Sequence, residues 1–162
     1  MRPEEIARRC EQVLRRLPAH VTLLAAVKGR SPEEIRAAIR AGIRHVGENY
    51  VQEAERKRPF VPEPASWHMI GRLQRNKARR ALQVFDWLGT LDSLPLAQRL
   101  ERLLSQQDRK LPVLVQVNIG REPQKAGVPP EDVPEFVREV ASLPHLEVRG
   151  LMAIPPIPQR PE

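Results

Sequence analysis

Cysteine, aromatic residues and long apolar runs are scarce in this chain, and each scarcity excludes a class of protein. The 162 residues contain one cysteine, Cys10, which rules out an internal disulfide framework and a cysteine-based metal site. No apolar run reaches the length of a membrane-spanning helix, and the first residues, Met-Arg-Pro-Glu-Glu, lack the apolar segment of a secretory signal. We therefore expect a reducing, cytoplasmic setting and no membrane partner.

Several motifs of common active sites are also missing. The chain has neither a glycine-rich loop of the P-loop or dinucleotide-binding type nor a Gly-x-Ser-x-Gly nucleophile elbow. Its four histidines do not have the spacing of metal ligands, so we expect no metal site.

The formal net charge of +7 by itself suggests a polyanionic partner. The arginines, however, are spread over many segments, and aromatic residues that could stack on bases make up 4% of the chain. A nucleic-acid-binding module therefore remains an alternative, while the main interpretation has no nucleic-acid partner.

Hydrophobic patterning predicts six strands that alternate with helices. We expect strands over Val21–Val27, Ile43–Gly47, Trp67–Gly71, Phe85–Leu91, Leu111–Asn118 and Leu146–Met152. We expect helices over Glu4–Leu17, Pro32–Ala41, Val51–Arg58, Leu94–Gln107 and Pro130–Ser142, and a further helix that Asn76 caps and that runs to about Val84. An irregular proline-rich tail follows. This alternation predicts parallel βαβ units in a single domain over residues 1–162.

The most informative stretch ends the first predicted strand on Lys28. The nearly unbroken apolar run Val21–Val27 is typical of a parallel strand covered on both faces, and Ser31, Pro32 and Glu34 then form a capping box that opens a helix. Lys28 thus stands at the carboxyl end of a parallel strand, where α/β folds place their chemistry. A solvated lysine that only marks the strand end is the simpler interpretation. The alternative is an amine that forms a Schiff base with an aldehyde, for which pyridoxal phosphate (PLP) is the common partner.

A series of motifs in fixed order resembles one family. The segments are Ala25-Ala-Val-Lys28, Gly47-Glu-Asn-Tyr-Val-Gln-Glu53, Trp67-His-Met-Ile-Gly-Arg-Leu-Gln-Arg-Asn-Lys77, Gln116-Val-Asn-Ile119, Lys125-Ala-Gly127 and Arg149-Gly-Leu-Met-Ala-Ile-Pro155. Together they closely resemble the pyridoxal-phosphate homeostasis protein family, which shares the fold of the N-terminal domain of alanine racemase. The resemblance extends from near residue 6 to near residue 156.

This resemblance implies a fold and a set of site residues. The fold is a parallel (β/α)8 TIM-type barrel of the alanine racemase N-terminal type, here with about six of its eight strands. PLP is expected as a Schiff base on Lys28, with Asn49 and His68 near its ring and Met152 at the next strand end. Lys125 matches a family lysine that is linked to secondary handling of the cofactor.

The resemblance also implies a function without strong catalysis. Family members hold, carry or release PLP and so support vitamin B6 homeostasis, with PLP-dependent apoenzymes as possible recipients and a monomer or weak homodimer as the expected state. The alternative is a racemase-type enzyme acting through Lys28. That enzyme needs a second acid or base, and Tyr50 is the only tyrosine.

The chain departs from the family in two respects. Val27 stands where the family commonly has a serine. The family also continues for roughly sixty to seventy more residues, enough for the two βα units that complete a barrel. The sequence is then a fragment, a chain that pairs with another chain, or a degraded family member. We favour the fragment, and we expect the phosphate-binding residues to lie beyond residue 162.

Overall fold

The computed structural model describes residues 1–156 of the 162-residue chain, and within them six strands alternate with six α-helices. The strands are β1 Leu24–Ala26, β2 His45–Glu48, β3 Ser66–Met69, β4 Trp87–Leu91, β5 Leu111–Val117 and β6 Leu146–Ala153. The helices are α1 Pro3–Arg16, α2 Pro32–Arg40, α3 Val51–Lys57, α4 Ala78–Val84, α5 Leu94–Gln107 and α6 Val133–Ala141, with short 3-10 turns at Arg58–Phe60, Arg75–Lys77 and Pro130–Asp132. Most of the predicted irregular tail lies outside the described residues.

The chain divides into two compact units, the first of which comprises residues 1–71 and 80–86. Its three strands are parallel, with β2 paired to both β1 and β3. The register places Ala26 opposite Gly47 and Gly47 opposite His68. Because paired residues share a face and side chains alternate along a strand, Val46 and Glu48 lie on the opposite face. The three carboxyl ends point the same way, so the residues that follow β1, β2 and β3 share one edge.

Strand β1 is shorter and more exposed than the sequence predicts. Only Leu24–Ala26 of the predicted strand Val21–Val27 is extended and paired, and Ala26 is exposed rather than buried. Its partner β2 begins at His45, opposite Leu24, so the preceding apolar residues have no strand to pair with there. The prediction of full burial on both faces was wrong because an apolar run does not show how many of its residues have a neighbouring strand.

The second unit comprises residues 72–79 and the chain from residue 87 onward. Its strands β4, β5 and β6 are parallel, with β5 in the middle. Val113 and Val115 of β5 are fully buried. Helix α5 buries its leucine stripe, which consists of Leu96, Leu100, Leu103 and Leu104 together with Ala97. On β6, by contrast, Leu151 is 59% exposed.

Two predicted starts were wrong at the junctions around α4. The strand predicted from Phe85 begins at Trp87, because Phe85 still donates a helical hydrogen bond to the carbonyl of Ala81. The helix predicted from Asn76 begins instead with the 3-10 turn Arg75–Lys77, in which the Lys77 N–H bonds to the Gln74 carbonyl three residues earlier.

Helices α6 and α1 also differ from their predictions. The helix predicted from Pro130 opens with a 3-10 turn and becomes α-helical at Val133, since Pro134 has no N–H to donate back to residue 130. Helix α1, predicted over Glu4–Leu17, spans Pro3–Arg16, and its apolar residue Val13 is 43% exposed.

The start of α2 is as predicted. The Ser31 hydroxyl accepts a hydrogen bond from the Glu34 N–H (3.2 Å), and the Glu34 carboxylate accepts one from the Ser31 N–H (2.9 Å). With Pro32 in the first turn, this capping box fixes where the helix begins after Lys28.

Candidate functional site

Lys28 occupies a tight turn between β1 and α2. The Arg30 N–H donates to the Val27 carbonyl at 3.0 Å, and Gly29 has φ 74°. A positive φ at the third position is the requirement of a type II turn, which places Lys28 at the exposed second position. Its amine lies 5.4 Å from the centroid of the Tyr50 ring. Among the described residues, no carboxylate forms an ion pair with this amine.

A buried cluster on α3 holds both sides of that turn. Lys57, at the end of α3, donates a hydrogen bond to the Val27 carbonyl at 3.1 Å. The same amine lies 2.8 Å from Glu48 Oε2 and 3.3 Å from Glu53 Oε2. The backbone N–H of Gly29, on the other side of the turn, helps to lower the pKa of the Glu53 carboxyl. One residue on each side of Lys28 is therefore anchored to the same helix.

Within this cluster, burial and the Lys57 charge shift the pKa values of the two carboxyl groups in opposite directions. Glu48 is fully buried, which raises the pKa of its carboxyl, while the nearby Lys57 ammonium partly reverses that shift. Partial burial also acts to raise the pKa of Glu53, but its hydrogen bonds to Lys57 and to the Gly29 N–H outweigh that effect and lower it. The ammonium of Lys57 is thus the common stabilising partner of two carboxylates.

Asn49 follows β2 at the same edge as Lys28. Its backbone sits so close to Gly71, which follows β3, that a Cβ on Gly71 would collide with the Asn49 carbonyl oxygen. The glycine in the Trp67–Gly71 segment is therefore required by this close approach of two strand ends.

His68 lies in β3, one pleat before the strand end, and is 7% exposed. Its Nε2 lies 2.9 Å from Nδ1 of His45, with which it shares one hydrogen-bonding proton. Burial, together with the proximity of His45, lowers the pKa of His68 to about 4. At neutral pH, His68 is therefore an uncharged ring on the face that also carries Ala26 and Gly47.

Met152 and Lys125 belong to the second unit. Met152 is half-exposed in β6, opposite Gln116, and Lys125 is exposed in the loop after β5, where its amine forms an ion pair with Glu122 at 3.1 Å. Two strand-end polar groups shape that loop: the Asn118 amide donates to the Glu122 carbonyl, and Asp92 accepts from the Gly127 N–H.

The Lys28 amine is suited to a cofactor that carries an aldehyde. The Lys28 amine is exposed, has no carboxylate partner among the described residues and stands over an aromatic face, so it is open to a planar, anionic electrophile. Within residues 1–156, no group of three or more histidine, cysteine or acidic side chains is placed to hold a metal ion. No helix in that range is long and apolar enough to cross a membrane.

The sequence did not single out Lys57 and Glu53. The only local signal was their i,i+4 spacing on one helix, which is typical of an ordinary surface ion pair. The Lys57–Val27 hydrogen bond joins residues 30 positions apart in the sequence, and no periodicity predicts such a contact.

The chain is similar in sequence to one known family and to several known proteins. The family described as alanine racemase, N-terminal domain, covers residues 2–162. The pyridoxal phosphate homeostasis protein of Pseudomonas aeruginosa is 42% identical over 149 residues, which are 91% of this chain and 65% of the relative. Its Escherichia coli counterpart is 43% identical over 144 residues, 86% of this chain and 62% of the relative. The chain thus spans less than two thirds of the length of these curated relatives.

The chain is also similar to proteins whose structures have been solved. PipY of Synechococcus elongatus superposes with a TM-score of 0.87 without PLP and 0.84 with PLP bound, at 39% and 38% identity. These alignments cover 96% and 94% of this chain and 73% and 72% of PipY. Alanine racemase of Clostridium difficile, at 15% identity and a TM-score of 0.72 over 92% of this chain and 38% of the racemase, shares the fold alone. The parallel α/β fold of the alanine racemase type is therefore confirmed, and the chain belongs to the alanine racemase N-terminal domain family, among the pyridoxal phosphate homeostasis proteins and PipY.

Proposed function

We propose that this protein binds PLP as a Schiff base on Lys28 and serves PLP and vitamin B6 homeostasis without strong catalysis of its own. The observation that carries this proposal is the Lys28 amine itself. It is exposed at a strand end, it stands over Tyr50, and it has no carboxylate partner within the described chain.

The relatives support the proposal. PipY, at 38% identity, has been solved with PLP bound, and the curated relatives in Pseudomonas aeruginosa and Escherichia coli are pyridoxal phosphate homeostasis proteins. The cofactor supplies an aldehyde, and the lysine amine adds to its carbonyl carbon as one water molecule leaves.

The chain's own residues would bind and orient that cofactor. Lys28 supplies the covalent link, and Tyr50 offers an aromatic wall beside it. We propose that Asn49, which follows β2, and the neutral His68 of β3 lie near the ring; the parallel pairing of β2 with β3 supports this placement. Roles for Met152 at the ring and for Lys125 in secondary handling of PLP stay predictions, as do a single domain over residues 1–162, a cytoplasmic location, delivery to apoenzymes and a monomer or weak homodimer.

A spectral titration tests the proposal. PLP is added to the wild type, to Lys28→Ala and to Lys110→Ala, and the absorption band of the protonated Schiff base is followed. Lys110 is a matched control because it is an exposed lysine in the other unit. We expect saturable band formation in the wild type and in Lys110→Ala and none in Lys28→Ala. Equal band formation in all three proteins would reject Lys28 as the site.

The same proteins decide between the alternatives. A racemase acting through Lys28, with Tyr50 as the second acid or base, predicts that PLP-loaded protein racemises amino acids and that Tyr50→Phe abolishes this activity. We expect no turnover above that of free PLP. A nucleic-acid module driven by the +7 charge predicts affinity that falls steeply with salt and is the same in Lys28→Ala.

A further inference from the structure

The turn that presents Lys28 is anchored from outside by Lys57, a buried side chain of α3. The Val27 carbonyl accepts two hydrogen bonds, one from the Arg30 N–H that closes the turn and one from the Lys57 amine. On the other side of Lys28, the Gly29 backbone N–H helps to lower the pKa of the Glu53 carboxyl, and Glu53 is itself paired with Lys57 at 3.3 Å. The backbone of Lys28 is therefore fixed at both neighbours, while its side chain stays exposed.

Stability alone does not account for this cluster. Lys57 is 8% exposed and Glu48 fully buried, and taking two such charges out of water costs several kcal/mol of desolvation. Replacing a buried ion pair by apolar residues of similar volume is often neutral or stabilising. Glu48 Oε1 has, moreover, no hydrogen-bond partner among the described residues. If the contact between α3 and the end of β1 had only a structural role, apolar side chains would stabilise it more.

We infer that Lys57, held in place by Glu48 and Glu53, is a positioning residue that fixes the Val27–Arg30 turn and with it the direction in which the Lys28 amine is presented. This inference rests on the proposed function, because it explains how the reacting lysine is oriented. Its physical basis is general: an amine whose backbone is held in one conformation reaches the attack geometry more often than one on a mobile loop.

Two variants and one control separate positioning from folding. Lys57→Met removes the anchor but leaves the Glu48 charge buried without a partner, so it is expected to be unstable. The double variant Glu48→Gln, Lys57→Met removes both charges from the interior, so no buried charge is left without a partner. The Val27 carbonyl still lacks the hydrogen bond that the Lys57 amine donates in the wild type. Arg56→Met, on the exposed face of α3 next to Lys57, removes one positive charge as Lys57→Met does, but at the surface.

The first readout is the rate at which PLP is trapped on Lys28 by borohydride reduction. In the double variant we expect trapping about tenfold slower than in the wild type, at comparable stability. Arg56→Met should match the wild type. A double variant that folds as stably as the wild type and is trapped at the same rate would overturn the inference.

The second readout needs no cofactor. Amide hydrogen exchange at Gly29 and Arg30 reports directly on the turn. We expect this exchange to be about tenfold faster in the double variant, because Lys57 no longer holds Glu53 and the Val27 carbonyl, which face these two N–H groups. Unchanged exchange at both amides contradicts the inference. If the double variant fails to fold, the same exchange measurement on Glu53→Ala decides, since this change removes one of the two carboxylates that hold Lys57 and leaves the Glu48–Lys57 pair intact. Unchanged exchange at Gly29 and Arg30 in Glu53→Ala would then overturn the inference.

The experiments can reject the cofactor site at Lys28 and the positioning role of Lys57 independently of each other. A wild type that is never trapped at Lys28 refutes the proposed cofactor site, while the exchange comparison still decides whether Lys57 orders the turn. Trapping at equal rates in all folded variants leaves the site standing and removes Lys57 as its positioning residue.

Discussion

Lowering the pH from 7 to 5 should destabilise this protein through His68. The ring is 7% exposed and lies 2.9 Å from His45, and burial together with His45 lowers the pKa of His68 to about 4. In the unfolded chain the pKa of a histidine is about 6.5. As the pH falls below 6.5, the unfolded state therefore binds a proton that the folded state does not bind, and the folded state loses stability until the pH passes the folded pKa.

The magnitude follows from these two pKa values. Each unit of difference in pKa corresponds to about 1.4 kcal/mol, and most of the unfolded histidine is protonated at pH 5 while the folded ring is not. The free energy of unfolding should thus fall by about 2 kcal/mol between pH 7 and pH 5, and by about 3 kcal/mol by pH 4, from His68 alone.

Urea unfolding followed by tryptophan fluorescence measures this loss, since Trp67 is 1% exposed and reports unfolding of the first unit. The comparison is with His68→Gln, which keeps a polar side chain beside His45 but does not titrate. Carboxylates that titrate in the same range contribute equally to both proteins and cancel. The wild type should lose about 2 kcal/mol more than His68→Gln between pH 7 and pH 5. Parallel pH profiles would refute the argument from burial.

Three further changes test local features of the fold. Gly29→Ala should cost about 1 kcal/mol in urea unfolding because φ is 74° at this position, whereas Gly120→Ala, where a new Cβ meets nothing closer than 3.7 Å, should change little. Ser31→Ala should cost about 1 kcal/mol through the lost capping box, and Ser105→Ala, whose hydroxyl bonds only within its own helix, serves as its control. Leu100→Ala should lower the free energy of unfolding by about 3 kcal/mol, because this 1% exposed side chain leaves a cavity; a loss below about 1 kcal/mol would contradict the packing described for α5.

Features set by neighbouring residues could be predicted from the sequence. The capping box at Ser31, the leucine stripe of α5 and the alternation of strands and helices all depend on spacing within one segment. The start of α2 fixes the turn that precedes it, so the place of Lys28 at the end of β1 was also predictable.

Features set by contacts between distant segments could not be predicted. The length of β1 depends on where β2 begins, so the apolar run Val21–Val27 overstated it. The pairing of His45 with His68 depends on the register of β2 against β3, and the anchoring of Val27 depends on Lys57, which is 30 residues later in the sequence. Such contacts between distant segments are visible only in the folded structure.

The central claim is that Lys28 forms the covalent link to PLP, and borohydride reduction followed by peptide mapping tests it most directly. Purified protein is incubated with PLP and reduced, and its intact mass and proteolytic peptides are measured. We predict one added mass equal to reduced PLP, on the peptide that contains Lys28. An unmodified protein, or a label spread over surface lysines such as Lys110 and Lys125, would contradict the account.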